Sequence, residues 1–484
     1  MSRTIRSVAV CGAGAMGTGI AQVAAQGGAA VTVFDTQVTA LNAGRSRIDS
    51  DLGSLVKRGK IDENDASAIA SRISWTQDLS DLRGADLVIE AIIEREDAKT
   101  DLFRKLESVL EQDAIIATNT SSLPIVRLAE SMEHPERFIG MHFFNPAPVM
   151  KLVEIVGGVW TAPAVMDAVI AAAKAWGKAA IPVADVPGFI VNRVARPFYA
   201  EAFRALGEDA ASAHVIDHLF RAAAGFRMGP LELTDLIGQD VNYSVARSVY
   251  DAYEGRTRFT PQKTQAALVE SGRLGRKSGS GVYDYAEGSA SAIRDTPKPH
   301  HPDVELPIIR EGKAAFSRLI EGLRGRAPHG FACVGNVLVG FAQGRSAASE
   351  ARRADRDVAL FDWVSDAPTA PLAFSASSEP AAAAAIAFAG SAGRLAFRIG
   401  DRPGLVLLRT LCQLTNAAAD AAVEDVADED GIDIAMRFGA NYPFGLFAWA
   451  DEYGRARVAA VLANIAQETG EALYAPSAHF ETMR

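Results

Sequence analysis

The stretch VAVCGAGAMGTGIAQVAA, residues 8–25, joins an apolar strand pattern to a helical pattern through the glycine-rich loop GAGAMG. A G-x-G-x-x-G loop alone is a weak signal, but here a second strand pattern, VTVFD, follows and ends at Asp35. In this context Gly12 makes the tight turn, Gly14 lets the backbone approach a pyrophosphate, and Gly17 lets the helix pack on the sheet. The stretch therefore predicts a dinucleotide-binding βαβ unit.

The acidic residue at the end of the second strand pattern distinguishes between the two nicotinamide dinucleotides. The Asp35 carboxylate can accept hydrogen bonds from the adenosine ribose hydroxyls, and its charge repels a 2′-phosphate. NAD is therefore favoured over NADP, and Met16, inside the loop, is also predicted to contact the cofactor. An ordinary βαβ turn with an aspartate at the strand end is the alternative.

Apolar runs that alternate with polar helical patterns predict the rest of this domain. ADLVIEAI, AIIATNT, RFIGMHFF and KLVEIV are typical of buried strands. This alternation predicts an α/β fold with a Rossmann-type, doubly wound and mostly parallel sheet. Ligands bind at the carboxyl ends of such strands, where Glu94, Asn119, Ser121 and His142 lie. We therefore expect these four residues to converge on one crevice.

The composition excludes several classes of protein. The 484 residues are 49% hydrophobic and 22% charged, which is typical of a globular protein of several domains. A formal net charge of −10 disfavours a nucleic-acid surface. The three cysteines are far apart and predict neither a disulfide framework nor a zinc site. Because no apolar run reaches the ~18 residues of a membrane span and the start shows no leader pattern, we expect a cytoplasmic protein.

Five segments carry a resemblance to a known family: VAVCGAGAMGTGIAQVAA, ATNTSSLPI, HPERFIGMHFFNPAPVMKLVEIV, DVPGFIVNR and GFRMGPLELTDLIG, in this order within about the first 285 residues. By these motifs the chain resembles the L-3-hydroxyacyl-CoA dehydrogenases of fatty-acid and aromatic-acid degradation. The resemblance implies a Rossmann domain followed by mostly α-helical C-terminal domains. It also implies NAD as the cofactor and oxidation of a (3S)-3-hydroxyacyl-CoA to a 3-oxoacyl-CoA.

The resemblance assigns the catalytic roles. It implies that His142 is the general base and that Glu154 hydrogen-bonds to it and orients it. Imidazole suits a proton transfer near neutral pH, and a carboxylate on its far nitrogen fixes the tautomer and favours the imidazolium. Ser121 would contact the substrate hydroxyl, and Asn192 would donate a hydrogen bond near the substrate and His142.

The resemblance also assigns binding roles. It implies that Glu94, Lys99 and Asn119 surround the nicotinamide end of NAD. The segment KRGKI would lie over the CoA moiety, where Lys57 and Arg58 could meet its phosphates. A solvated run of charges explains these two cations equally well.

Structural roles compete with several of these assignments. His142 could be a satisfied structural histidine, and Asn192 could satisfy the backbone at a helix start. Ser121 could cap the helical run SLPIVRLAE, although Ser122 is better placed for that. His214 and His218 have the i, i+4 spacing of metal ligands, but the sequence offers no third ligand, so we predict a solvated helix face and no metal.

The chain continues for about 200 residues beyond VYDY, where short family members end. A shift of 216 aligns residues 185–238 with 401–454, and 16 of the 54 aligned residues are identical, which indicates a duplicated helical domain. We predict a Rossmann domain over 1–184, a helical domain over 185–285, and a second, non-catalytic helical copy over 396–484. The residues between, 286–395, are predicted to be a linker, from Ser289 to His301, and a reduced α/β remnant without a cofactor.

The long form narrows the resemblance to dehydrogenases that oxidise 3-hydroxyadipyl-CoA in phenylacetate degradation and to some bacterial 3-hydroxybutyryl-CoA dehydrogenases. No residue in the sequence identifies a cation for a distal carboxylate. A dehydrogenase of a free hydroxy acid, of the gulonate type, stays open, as does a catalytically idle NAD-binding scaffold. Short members form homodimers across their helical domains, so this chain either does the same or places its second copy there.

Overall fold

The computed structural model describes residues 4–285, 297–299 and 331–480, together with positions 314, 317 and 318. The predicted linker from Ser289 to His301, apart from 297–299, and the middle region up to residue 330, apart from those three positions, lie outside the described residues. The chain divides into two compact units: Met1–Val191 with Asp425–Ala440, and Asn192–Glu424 with Asn441–Arg484.

The first unit is built on an eight-stranded sheet. Its strands are β1 (Ser7–Cys11), β2 (Ala30–Phe34), β3 (Ile73–Thr76), β4 (Leu87–Glu90), β5 (Ile115–Thr118), β6 (Phe138–Phe143), β7 (Leu152–Gly157) and β8 (Ala179–Ala184). They lie in the order β3-β2-β1-β4-β5-β6-β7-β8, and every neighbouring pair is parallel except β6 with β7. The predicted Rossmann-type, mostly parallel sheet is confirmed.

Helices cover this sheet, and its central strands β4 to β7 are buried along almost their whole length. The helices are α1 (Ala15–Gln26), α2 (Val38–Lys57), α3 (Glu63–Ser71), α4 (Glu96–Val109), α5 (Ile125–Ala129) and α6 (Pro163–Ala175), with α16 (Glu429–Gly439) from late in the chain. In the core, Ile20 and Val23 of α1 pack with Val10, Val33 and Ile89 of the strands. Against this background, Glu90 in β4, His142 in β6 and Glu154 in β7 are buried polar exceptions.

The second unit contains the remaining helices and a smaller sheet. The helices are α7 (Val191–Val194), which starts at the unit boundary, α8 (Arg196–Gly207), α9 (Ala213–Ala222), α10 (Pro230–Ile237), α11 (Gln239–Ala252), α12 (Lys263–Glu270), α13 (Ala347–Ala354), α14 (Glu379–Ser391), α15 (Leu407–Val423), α17 (Leu446–Tyr453) and α18 (Arg455–Thr469). The strands are β9 (Ala332–Val334), β10 (Val337–Phe341), β11 (Val358–Phe361), β12 (Leu372–Ala376) and β13 (Ala396–Arg398). No helix among the described residues is long and apolar enough to cross a bilayer.

The smaller sheet repeats half of the larger one. Strand β10 pairs in parallel with β11, β11 pairs antiparallel with β12, and β12 pairs in parallel with β13. The series β5 to β8 shows the same succession. Helix α13 follows the first strand of its series as α5 does, and α14 follows the third as α6 does. The described middle region is therefore a second copy of the β5 to β8 half-sheet.

The predicted helical repeat is confirmed by the backbone. Helix α10 in the first copy and α17 in the second correspond residue for residue under the shift of 216. Left-handed backbone also recurs at matching positions: φ is 49° at Phe189 and 54° at Leu405, and 103° at Gly238 and 101° at Gly454. Positive φ is costly for residues with a side chain, so shared strain of this kind indicates the same local fold in both copies.

Candidate active site

A histidine and a glutamate meet across the only antiparallel pairing in the eight-stranded sheet. His142 in β6 lies directly opposite Glu154 in β7. The His142 Nδ1 and Glu154 Oε2 atoms are 2.6 Å apart, and the two residues are 6% and 0% exposed. Directly opposed side chains of antiparallel strands are close neighbours, so the twelve-residue separation is bridged by the hairpin itself.

The main chain fixes the other oxygen of the Glu154 carboxylate. Oε1 accepts hydrogen bonds from the amides of Ile190, at 2.9 Å, and Val191, at 3.0 Å. These bonds compensate the burial of the carboxylate and leave Oε2 directed at the imidazole. Since an ionised carboxylate only accepts hydrogen bonds, Nδ1 of His142 carries the proton of their shared bond.

Aromatic rings enclose the sides of the His142 imidazole. Its centroid lies 4.5 Å from that of Phe144 and 5.6 Å from that of Phe189. No described residue forms a hydrogen bond with Nε2. With Nδ1 held by Glu154, Nε2 is the nitrogen that can take a proton from a bound molecule.

A second carboxylate, that of Glu94, accepts hydrogen bonds from three groups of the loop after β5. Its Oε1 accepts from the Thr120 hydroxyl at 2.6 Å, from the Ser121 amide at 3.0 Å and from the Ser122 hydroxyl at 3.0 Å. Burial raises the pKa of Glu94, but the Lys99 ammonium and these hydrogen bonds outweigh it and lower the pKa overall. Glu94 is therefore an anion that orders the loop carrying Ser121.

Lys99 is buried between two glutamates. Its ammonium lies 2.6 Å from Glu90 Oε1 and 3.1 Å from Glu94 Oε2. Glu90, at 0% exposure, also accepts from the Thr118 hydroxyl at 2.6 Å. A buried charge is tolerated when it is paired in this way. Glu90 was missed by the sequence analysis, although a glutamate that ends the apolar run LVIE was the signal.

Asn119 connects the ends of two neighbouring strands. Its side-chain oxygen accepts from the Phe143 amide at 2.8 Å, beside His142. Ser121 is exposed, and its amide is held by Glu94. The structure thus joins Glu94 to Ser121 and places Asn119 next to His142 through the Phe143 amide, and the convergence of all four on one crevice stays a prediction.

The helix after this loop is not capped by a serine, so the cap alternatives for Ser121 and Ser122 are wrong. Asp185 accepts from the amides of Ile125, at 2.9 Å, and Val126, at 2.8 Å, which are the first two residues of α5. The cap comes from 60 residues away in sequence, where a local pattern cannot predict it.

The glycine-rich loop borders a cavity of about 870 Å³ in the first unit. Gly12, Gly14, Met16 and Asp35 line it. A Cβ atom at Gly12, where φ is 110°, would lie 2.5 Å from the Ala91 carbonyl oxygen, whereas one at Gly14 would have no neighbour within 4 Å. The loop is therefore tight where it turns and open where a pyrophosphate would approach, and it fits a dinucleotide.

Asp35 has a second role that the sequence did not reveal. Its Oδ2 accepts from the amide of Ala13, inside the loop, at 2.8 Å, and its Oδ1 accepts from the Gln37 amide at 2.9 Å. Asp35 therefore anchors the loop as well as lining the cavity.

A Cβ atom at Gly17 would overlap the Gly12 carbonyl oxygen, so the helix approaches the turn closely, as predicted.

No described contact joins the other predicted site residues to His142 or Glu154. Lys57 and Arg58 are exposed at the end of α2. Asn192 belongs to the second unit and its role stays a prediction. His214 packs edge-on against Tyr283 with ring centroids 5.0 Å apart, and no group of three metal-ligating side chains occurs in the described ranges.

The second copy replaces the histidine with an aspartate. Asp362 directly follows β11, and its amide donates to Ala373 of β12, so these two residues take the places of His142 and Glu154. Asp362 Oδ2 accepts from the amides of Val406, at 2.9 Å, and Leu407, at 2.7 Å, which match Ile190 and Val191. Burial raises the pKa of Asp362 to about 6, against the lowering effect of these amides. The carboxylate anchor persists, but the imidazole does not.

Comparison with known proteins gives two matches to family models. The NAD-binding domain of 3-hydroxyacyl-CoA dehydrogenase matches residues 7–186. The C-terminal domain of 3-hydroxyacyl-CoA dehydrogenase matches residues 188–285 and again 404–484. The second match covers both helical copies.

Individual relatives span the chain to different extents. The 3-hydroxyadipyl-CoA dehydrogenase of Escherichia coli K12 is 40% identical over 481 residues, which are 98% of this chain and 97% of its own length. The probable 3-hydroxybutyryl-CoA dehydrogenase of Bacillus subtilis is 41% identical over 283 residues, 58% of this chain and 98% of its own. A crystal structure of 3-hydroxybutyryl-CoA dehydrogenase from Escherichia coli K12 matches with a TM-score of 0.90 at 38% identity and covers 99% of this chain and 98% of that one.

Proposed function

The chain belongs to the 3-hydroxyacyl-CoA dehydrogenase family, and from that premise we propose that it oxidises a (3S)-3-hydroxyacyl-CoA to the 3-oxoacyl-CoA with NAD. The observation that carries the proposal is the buried contact between His142 Nδ1 and Glu154 Oε2. The relatives that span the whole chain are named for 3-hydroxyadipyl-CoA and 3-hydroxybutyryl-CoA, and these are the proposed substrates.

His142 is proposed as the general base. Nε2 takes the proton of the substrate hydroxyl while the hydrogen on C3 leaves as a hydride and the carbonyl forms. Bound NAD supplies the hydride acceptor at that site. Glu154 stabilises the imidazolium that forms, since its own position is fixed by two main-chain amides.

The neighbouring residues are proposed to position substrate and cofactor. Ser121 would hold the substrate hydroxyl and Asn192 would donate to the substrate. Glu94, Lys99 and Asn119 would border the nicotinamide end. The positions of Glu94 and Asn119 after the carboxyl ends of β4 and β5 support this, and Lys99 of α4 reaches the same end of β4 through Glu90. The contacts of Glu94 with Ser121 and Lys99 provide the rigid support that such a site requires.

Lys57 and Arg58 are proposed to meet the phosphates of CoA. Both are exposed cations at the end of α2. An exposed cation serves a phosphate by charge alone, so each contributes modestly and its effect falls with added salt.

Location and assembly complete the proposal. The three cysteines are free, as in a reducing compartment, so we place the enzyme in the cytoplasm.

We propose that the second helical copy fills, within one chain, the position that a partner's helical domain takes in homodimeric short members. Light scattering on the purified protein tests this, because a stable homodimer would contradict it.

An absorbance assay for NADH tests the activity. The purified chain is supplied with NAD and either 3-hydroxyadipyl-CoA, 3-hydroxybutyryl-CoA or free 3-hydroxybutyrate. We expect turnover of the CoA thioesters and little or none of the free acid. Faster oxidation of the free acid would favour a hydroxy-acid dehydrogenase, and no turnover of any substrate would favour an NAD-binding scaffold.

A further inference from the structure

Arg196, the first residue of α8, is a buried cation without an anionic partner. It is 7% exposed, and no carboxylate of the described residues forms an ion pair with it. Its Nε donates to the main-chain oxygen of Asn192 at 2.7 Å, while its Nη1 has no hydrogen-bond partner. The guanidinium thus has donor capacity that the fold does not use.

Among the described residues of the second unit, the other buried arginines are all paired with glutamates. Arg193 lies 2.8 Å from Glu424, Arg402 lies 2.8 Å from Glu208, and Arg409 lies 3.0 Å from Glu201. Since burial of an unpaired charge is strongly unfavourable, the contrast marks Arg196 as a group that stability alone does not explain.

The surroundings of Arg196 are aromatic. Its guanidinium carbon lies 5.1 Å from the ring centroid of Tyr199. Tyr442, whose ring packs 5.5 Å from Phe198 and 5.1 Å from Phe226, has a buried hydroxyl without a hydrogen-bond partner. Burial lowers the pKa of Arg196, although the Tyr199 and Tyr442 hydroxyls partly oppose it. A guanidinium with an unused Nη1 and a phenol hydroxyl without a partner are suited to one anionic ligand.

A carboxylate has the chemistry to satisfy both groups. It accepts two parallel hydrogen bonds from a guanidinium and a further one from a phenol. Nη1 is enclosed, so the guanidinium has to turn toward an entering carboxylate, which a long, flexible side chain permits.

We propose that Arg196, assisted by Tyr442, binds the terminal carboxylate of a 3-hydroxydicarboxylyl-CoA. The proposal rests on the proposed function, because it takes the reacting C3 carbon to lie beside Asn192. Arg196, at the start of α8, is four residues after Asn192 of α7, and its Nε donates to the Asn192 main-chain oxygen at 2.7 Å, so the guanidinium lies beside Asn192. In 3-hydroxyadipyl-CoA the terminal carboxyl carbon is three bonds beyond C3, so one short acyl chain can reach both residues. A 3-hydroxybutyryl chain ends one carbon beyond C3 and offers no anion.

The test compares two substrates of equal chain length, 3-hydroxyadipyl-CoA and 3-hydroxyhexanoyl-CoA, by the ratio of their kcat/KM values. We expect the parent enzyme to prefer the dicarboxylyl substrate. Arg196→Met, which keeps the volume and removes the charge, should lower the ratio about 100-fold, mainly by raising the KM value for the dicarboxylyl substrate. Arg196→Lys should retain part of the preference, and Tyr442→Phe should lower the ratio by about tenfold.

Arg204→Met is the matched control. Arg204 lies on the same helix but pairs with Glu471 at 2.7 Å, so its loss should leave the substrate ratio unchanged. Arg196→Met should also raise the melting temperature of the substrate-free protein, because it removes an unpaired buried charge.

A ratio within threefold of the parent value in both Arg196→Lys and Arg196→Met would overturn the proposal. If Arg196→Met does not fold, an unchanged ratio in Tyr442→Phe together with Arg196→Lys has the same force. Failure of the parent enzyme to oxidise either thioester would instead reject the proposed function, so the two failures are distinguishable.

Discussion

The two nitrogens of the His142 imidazole have different roles, and the contact with Glu154 determines which nitrogen has which role. Nδ1 is 2.6 Å from a carboxylate that is itself held by two amides, and this leaves Nε2 as the atom for chemistry. The orientation of the His142 imidazole depends on both oxygens of the Glu154 carboxylate acting as hydrogen-bond acceptors. Any substitution that turns one oxygen into a donor therefore affects the tautomer of His142, even if the backbone does not move.

Glu154→Gln tests this dependence. If the amide oxygen keeps the contact with Ile190, the amide NH₂ faces Nδ1 and favours the tautomer with the proton on Nε2, which cannot act as a base. We expect kcat to fall roughly 100-fold, less than the thousandfold or greater loss expected for His142→Ala, and NAD affinity to change little in both. Stopped-flow rates and NADH titrations measure these quantities. A Glu154→Gln rate equal to that of the parent would make the pair structural only.

At the scale of elements, the carboxyl ends of β1, β2, β4, β5 and β6 supply the site. Sequence periodicity was sufficient to predict these strands and a mostly parallel sheet, and the G-x-G-x-x-G motif was sufficient to predict the glycine loop. It could not predict which distant groups satisfy them. Glu90 is linked to Lys99 and Thr118, and Asp185 caps α5, through contacts that only the folded chain creates. Buried polar groups must find partners, but the sequence does not state which ones.

Substitutions of Asp35 separate two roles of its carboxylate, which are the predicted repulsion of a 2′-phosphate and the anchoring of the glycine-rich loop. Asp35→Ala removes the repulsion of a 2′-phosphate and the acceptor for the Ala13 amide, so the preference for NAD over NADP should narrow at least tenfold, about 1.4 kcal/mol, and KM for NAD should rise. Asp35→Asn keeps an oxygen for the loop amide. It should therefore narrow the preference with a smaller rise in KM. Steady-state kinetics with both cofactors decides, and an unchanged preference in both variants would mean that the acid does not face the ribose.

The whole molecule carries a duplication larger than the sequence indicated. Identity under the shift of 216 was evident only over the helical copies, whereas the strand pairing extends the repeat to the half-sheet β10 to β13. The sequence predicted only a reduced α/β remnant here and not its correspondence to β5 to β8, because strand pairing depends on the backbone and buried apolar residues exchange freely. Within the second unit, α8 packs against α15, and Arg193 pairs with Glu424 while Arg402 pairs with Glu208. Glu208 and Glu424 are equivalent under the shift, but Arg193 corresponds to Arg409, which pairs with Glu201, so the ion pairs between the copies are not symmetric.

This duplication predicts one NADH site per chain. The second half-sheet corresponds to β5 to β8, so its described part lacks the strand, glycine loop and helix that bind a dinucleotide. Asp362 replaces His142, and Leu408 stands where Asn192 does in the first copy, so neither a base nor a donor remains. Calorimetric titration with NADH should give a stoichiometry near one. Gly14→Asp is the control, because a Cβ at Gly14 meets no atom within 4 Å while the new charge repels the pyrophosphate. It should abolish all of the binding heat. Three outcomes would contradict a structural role for the second copy. They are two NADH sites per chain in the parent, binding heat that persists when Gly14→Asp is saturated with NADH, and a soluble, fully active truncation ending near residue 288.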